Sequence, residues 1–276
     1  MDFRTVYDIG RHELTINIRN KWTVIFAVAF GILVVGIAYF GIMAEGFSGM
    51  ENFTRTSASM LNLVLYLVPL VALTMGTLSF TGERAITELL FAQPVSRNEV
   101  LLGKLVGLFA SLSLSMLAGF FAAGVVIMIF NGEEGLLAYG SFVLLSLMLA
   151  FVFLCISAAI ATVNRRKAKA FGGALFLWFF FVLFYDLIAL GITLLLSGQT
   201  ANYFLFASLF GNPVDMVRVA ALILLDNVTI FGAAGAALLR FLGGPVASLV
   251  LLVGGLGLWI AAPLLLAQRL LRKQDI

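Results

Sequence analysis

The chain has 276 residues, of which 62% are hydrophobic and 11% charged, and its mean hydropathy is +1.10. A soluble domain carries roughly a quarter charged residues, so the composition excludes a water-soluble globular protein and predicts an all-α integral membrane protein. The net charge of +3 gives no basis for nucleic-acid binding, and the one cysteine, Cys155, lies in an apolar run, which excludes an intrachain disulfide framework.

Residues 1–21 are charged throughout and lack an apolar core with a small-residue cleavage site, so they do not read as a signal peptide. Phe3, Tyr7, Leu14, Ile18 and Trp22 recur there at helical spacing, with Arg4, Asp8, Arg11 and Arg19 between them. The pattern predicts an amphipathic elbow helix over residues 2–21, lying along a membrane surface with Trp22 at the interface. A cytosolic tail is the plainer alternative. A bilayer core needs about 20 apolar residues, and six runs qualify: 22–43, 60–80, 100–130, 136–163, 170–196 and 246–268. Residues 45–59 read as a polar loop between the first two.

The one long mixed-charge interval between apolar runs is 82–104. Residues 83–91 predict a short amphipathic helix, with Ile86, Leu89 and Leu90 on one face and Glu83, Arg84, Thr87 and Glu88 largely on the other, ending at Phe91. Gln93-Pro94 stops it, because proline lacks the N–H and restricts the residue before it. Ser96-x-x-Glu99 is then a capping box that starts the next helix. A short helix held between two spans is a handle by which a soluble partner can push on them; a solvated connection is the bland alternative.

Of the 17 lysines and arginines, 14 fall in residues 4–21, 82–104, 164–169 and the tail, and only Arg55, Arg218 and Arg240 lie elsewhere. The positive-inside tendency then predicts that both termini and the 82–104 loop are cytoplasmic. An odd number of crossings between 197 and 245 would put the basic tail outside. That segment is therefore read as holding paired, short re-entrant helices on the outer side. Asn212-Pro213 is a good helix start, with asparagine as N-cap and proline at the first helical position. The apolar stretch 214–225 and the Gly/Ala-rich stretch 227–242 are each too short to span. Phe204, Phe206 and Phe210 read as interfacial anchors or as a docking surface.

Few residues invite chemistry, and no catalytic residue or metal ligand is assigned. His12 is the only histidine, which leaves no histidine-based triad or His/Cys metal cluster. The nine methionines are scattered, as flexible apolar filler is. Gly103-Lys104 lacks the other residues of a P-loop, so the chain has no nucleotide motif of its own. Thr74, Thr77 and Ser79 offer hydroxyls for a polar path in the second span, although such residues are ordinary in spans.

Two features of the spans stand out. Gly103, Gly107, Ser111, Ser115, Gly119 and Ala123 repeat every fourth residue, which predicts close helix packing along the third span. Such a period drifts around the helix, so its members cannot all meet one partner. Asp186 is the one acidic residue within a span. It reads as functional, as structurally paired, or as reaching the outer interface beside Tyr185.

With Glu83-Arg84, Thr87-Glu88-Leu89-Leu90, Gln93-Pro94-Val95-Ser96-Arg97 and Gly103-Lys104, the 82–104 interval resembles the cytoplasmic loop of type-2 ABC transporter permeases. The resemblance covers essentially the whole chain. It implies a coupling helix over residues 83–91, a second copy of the chain, and a separate cytoplasmic ATPase dimer holding ATP-Mg, with no cofactor on this chain. It also implies a bacterial inner membrane. More narrowly, Phe210-Gly-Asn-Pro-Val-Asp-Met-Val-Arg218 resembles the permeases of nitrous oxide reductase maturation systems, which implies a periplasmic copper-site maturation partner and a role in denitrification. Asn212, Pro213, Asp215 and Arg218 are then expected to shape the outer surface offered to that partner. Mechanical transmission across the membrane is the expected mode. Export of a sulfur species or another small solute is the alternative, and an intramembrane enzyme lacks the residues it would need.

Overall fold

A computed structural model describes residues 2–43, 50–81, 96–131, 135–164, 166–225 and 232–273, and these fold entirely into helices and their connections. In chain order they are α1 (Phe3–Ile18), α2 (Lys21–Met43), α3 (Met50–Thr81), α4 (Arg97–Asn131), α5 (Leu136–Val163), α6 (Lys167–Leu195), α7 (Gln199–Ser208), α8 (Pro213–Leu224), α9 (Gly232–Leu242) and α10 (Pro245–Lys273). Six of them, α2 to α6 and α10, are long and apolar enough to cross a membrane. The helix expected over residues 83–91 lies outside the described residues.

The structure corrects the sequence reading in two places and adds a π turn within a span. Residues 50–59, expected as a polar loop, are the first turns of α3. The segment 197–245 holds a helix that was not expected, α7, followed by a 3-10 turn at Leu209–Gly211. This pair meets α8 at 103°. Finally, α6 contains a π turn at Phe180–Phe184, just before Tyr185 and Asp186.

The core centres on α5, whose Phe142, Leu149, Ala150, Val152, Phe153 and Leu154 are all buried. Phe120 of α4 links it to α2, standing edge-on to Phe30 at 5.2 Å and to Phe142 at 5.7 Å between ring centroids. The buried Tyr139 hydroxyl donates to the Phe120 carbonyl at 2.8 Å. In lipid, helices associate through van der Waals contact and hydrogen bonds, so small residues that let backbones approach matter most. Gly76 is one of these, since a β-carbon there would stand 2.7 Å from Ser157 Cβ across the α3–α5 crossing.

The amphipathicity of α1 runs opposite to that of a helix on a soluble protein. Its buried residues are Gly10, Glu13 and Asn17, which face the bundle along α4, while Phe3 is 80% exposed and Tyr7 67% exposed. A second glycine device closes α9. Gly243 and Gly244 take φ of 88° and 105°, and the Gly244 N–H returns to Leu239 O at 2.7 Å before Pro245 opens α10. Left-handed backbone of this kind is cheap only for glycine.

Candidate functional site

Polar side chains gather at two ends of this apolar bundle. The first gathering surrounds the stems of the 82–95 loop. Ser96 caps α4 as the sequence pattern requires: its N–H donates to Glu99 Oε2 at 2.9 Å, and the Glu99 N–H donates to Ser96 Oγ at 3.3 Å. The other Glu99 oxygen, Oε1, accepts from the Asp2 N–H at 2.6 Å, joining the start of α1 to the start of α4. Arg97 Nη1 donates to Leu271 O at 2.8 Å, which joins α4 to the last turn of α10.

One helical turn deeper, Ser79 Oγ donates to Glu13 Oε1 at 2.6 Å, and Asn17 Nδ2 donates to the same oxygen at 2.9 Å. Lys104 Nζ donates to Ser79 O at 3.5 Å. Glu13 and Lys104 are both buried, and such side chains are tolerated away from water only when their polar atoms find partners. Both stems are therefore tied to α1, α3 through Ser79 and α4 through Glu99. Sequence reasoning missed this group. The available signal was Gly10, Glu13 and Asn17 aligned on one face of α1, opposite Phe3 and Tyr7, but their partner lies 66 residues away in the chain.

The small-residue repeat of α4 divides between two neighbours. A β-carbon at Gly103 would stand 2.7 Å from Ile9 Cβ, and one at Gly107 would stand 2.6 Å from Glu13 Cβ, both on α1. At Gly119 it would stand 3.1 Å from Gly31 Cα on α2. Ser111 and Ala123 are buried, and Ser115 returns its hydroxyl to Ser111 O at 3.1 Å. Thr74 and Thr77 likewise bond carbonyls of their own helix, at 2.8 and 2.7 Å.

The second gathering lies where α7 and α8 meet the π turn of α6. Asn212 is wholly buried, and its Oδ1 accepts from the Val214 N–H at 3.0 Å, capping α8 with Pro213 at the first helical position. Its Nδ2 donates to Phe181 O in the π turn at 2.9 Å and to Asp215 Oδ2 at 2.8 Å. Arg218 Nη1 donates to Asp215 on its own helix and reaches Asp186 Oδ2 on α6 at 3.2 Å. Asp186 is thus paired. Of the four residues expected to shape an outer surface, Asn212 and Pro213 are buried, and Asp215 and Arg218 are half-buried and held in ion pairs. Around them the Tyr185 hydroxyl donates to Ser208 O at 2.5 Å, and Trp259 Nε1 of α10 donates to Phe210 O at 3.1 Å. Tyr203 and Phe206 of α7 pack on Phe241 of α9, with ring centroids 5.7 and 5.1 Å apart.

Residues 7–276 match the model of the ABC-2 family transporter proteins. The chain is also 37% identical over 279 aligned residues to a probable ABC transporter permease protein NosY of Pseudomonas aeruginosa, covering 98% of this chain and 99% of that one. It is 35% identical to the probable NosY permease of Stutzerimonas stutzeri, covering 98% of each. The chain belongs to the ABC-2 transporter family. As an ABC-2 permease it is a multi-pass membrane subunit of an ABC transporter, and among the described residues the two gatherings concentrate polar contacts between helices, beside isolated bonds such as Tyr139 to Phe120 O and Trp178 to Tyr66 O.

Proposed function

We propose that this ABC-2 permease couples ATP hydrolysis by a separate cytoplasmic ATPase dimer to a periplasmic partner in the maturation of the copper sites of nitrous oxide reductase. Two copies of the chain form the membrane unit in a bacterial inner membrane, with both termini and the 82–95 loop cytoplasmic. The observation that carries this reading is the similarity to two permeases named NosY along nearly the whole of all three chains. The ties at the loop stems support it. A push on residues 83–91 reaches α3 and α4 directly, and reaches α1 through Ser79 and Glu99. Transmission of this kind runs through packed helices and hydrogen-bond networks that have two discrete arrangements, and it requires no channel for a solute.

The first test is affinity purification of the tagged chain from mild detergent, beside a Glu83→Lys/Glu88→Lys double variant. The wild type should bring down an ATPase and a periplasmic protein, and charge reversal should release the ATPase while leaving the membrane fold intact. A double variant that still holds the ATPase would remove residues 83–91 from the coupling role. Mechanical transmission further requires that the periplasmic partner stimulate the ATPase with no solute crossing sealed vesicles. Movement of a sulfur compound or other small solute in that assay would replace transmission by export.

A further inference from the structure

Four hydrogen bonds fasten the bent α7–α8 pair to the spans, and they bracket the bend. Tyr185 OH to Ser208 O lies before it, and Trp259 Nε1 to Phe210 O adjoins it. Asn212 Nδ2 to Phe181 O and Arg218 Nη1 to Asp186 Oδ2 lie after it. Three of the four land on α6 between Phe181 and Asp186, in the π turn or the two residues that follow. A π turn displaces backbone groups from the α ladder, and here the Phe181 carbonyl accepts a side-chain donor from α8. Only the Arg218–Asp186 contact of the four joins two side chains. Asp215, one turn before Arg218 on α8, takes another bond from the same guanidinium and so fixes the direction in which its planar fork points.

We infer that Asp186 and Arg218 are positioning residues, which hold the outer α7–α8 bend against the π turn of α6 so that the bend and this part of the span move as one body. The pair then sets the pose in which the outer element meets its partner, and Asn212 and Tyr185 set its register along α6. This role rests on the proposed reading of that element as the part offered to a periplasmic protein. The clamp itself does not depend on that reading.

The experiment uses the full-length chain in lipid nanodiscs and reads amide hydrogen exchange across residues 213–224. Removing one partner of a pair that closes an element lets it open locally, so Asp186→Asn and Arg218→Gln should each quicken exchange there by about tenfold. Asp186→Glu keeps the charge and should stay close to wild type, and the swap Asp186→Arg/Arg218→Asp should recover most of the protection. Unchanged exchange in both single variants overturns the clamp. So does equal loss in Asp186→Glu and Asp186→Asn, which would mark a packing site indifferent to charge.

The same variants, assembled with the ATPase and the periplasmic protein, then give the ratio of partner-stimulated to basal ATP hydrolysis. A ratio that falls severalfold in the single variants and returns with Asp186→Glu supports the positioning role, whereas a ratio that ignores the change in exchange overturns it. If the wild-type complex shows no stimulation, the reading of the partner fails instead, and the exchange data alone still decide whether the clamp exists.

Discussion

At Gly107, as at Gly103, the close approach of α1 to α4 depends on a missing β-carbon. The site lies against Gly10 O, Glu13 Cβ and Leu14 N, and two of these are backbone atoms that cannot swing aside. Gly107→Val should cost about 1–3 kcal/mol, as overpacking of a close contact does, and should lower the thermal unfolding midpoint in detergent. The control is Gly140→Val, where nothing lies within 4 Å and the residue is exposed. Equal midpoints for the two variants would mean that α1 is not packed on α4 as described. Asn212 allows a finer cut. Serine keeps an oxygen suited to capping α8 but lacks the amide that donates to Phe181 O and Asp215, so Asn212→Ser separates the amide's bonds from the cap. Loss of a cap alone costs about 1 kcal/mol. A variant that keeps the helicity of α8 yet loosens it from α6 separates the two contributions, and hydrogen exchange measures both.

Among the elements, those that depend on local pattern were legible in the sequence, and those that depend on a distant partner were not. Hydropathy marks the spans because each must be apolar for about 20 residues, and the span read as 136–163 coincides with α5 (Leu136–Val163). Asn212-Pro213 and Ser96-x-x-Glu99 could be read because a cap is made by residues two or three apart. The helix α7 escaped because Gln199–Ser208 mixes polar and aromatic residues over only ten positions, and it is held by Phe241 far along the chain. The polar face of α1 escaped for the same reason. Its aromatic stripe was visible in the sequence, yet the side that is buried is the one bearing Glu13 and Asn17. Glu13 accepts both from Ser79 and from Asn17, so Ser79→Ala removes one of the two donors that the described residues offer this buried carboxylate. Leaving a buried acceptor short costs about 1–3 kcal/mol. That loss should appear as faster proteolysis or exchange across Phe3–Ile18, with the spans unaffected. If α1 stays as protected as in the wild type, Ser79 is not what holds α1 to the loop stem.

For the molecule as a whole, the proposed direction of coupling depends on which polar gathering faces the cytoplasm. Alternation of the spans puts the loop stems, the basic turn before α6 and the end of α10 on one side, and the α7–α8 bend on the other. The bias of lysine and arginine predicts that the first side is cytoplasmic. The chain provides its own clean background for testing this, because Cys155 is its only cysteine and is buried in α5. A membrane-impermeant maleimide applied to intact cells should therefore leave the wild type unlabelled. Asn202→Cys on α7 and Arg272→Cys on the last turn of α10 both place a thiol at an exposed position. The first should label in intact cells, and the second only after the inner membrane is opened. The reverse pattern would invert the molecule. The 82–95 loop would then face away from any cytoplasmic ATPase, and the Asp186–Arg218 clamp would lie on the side where ATP is hydrolysed. Transmission outward through α4 and α6 would be lost as a mechanism, although every contact within the bundle would stand unchanged.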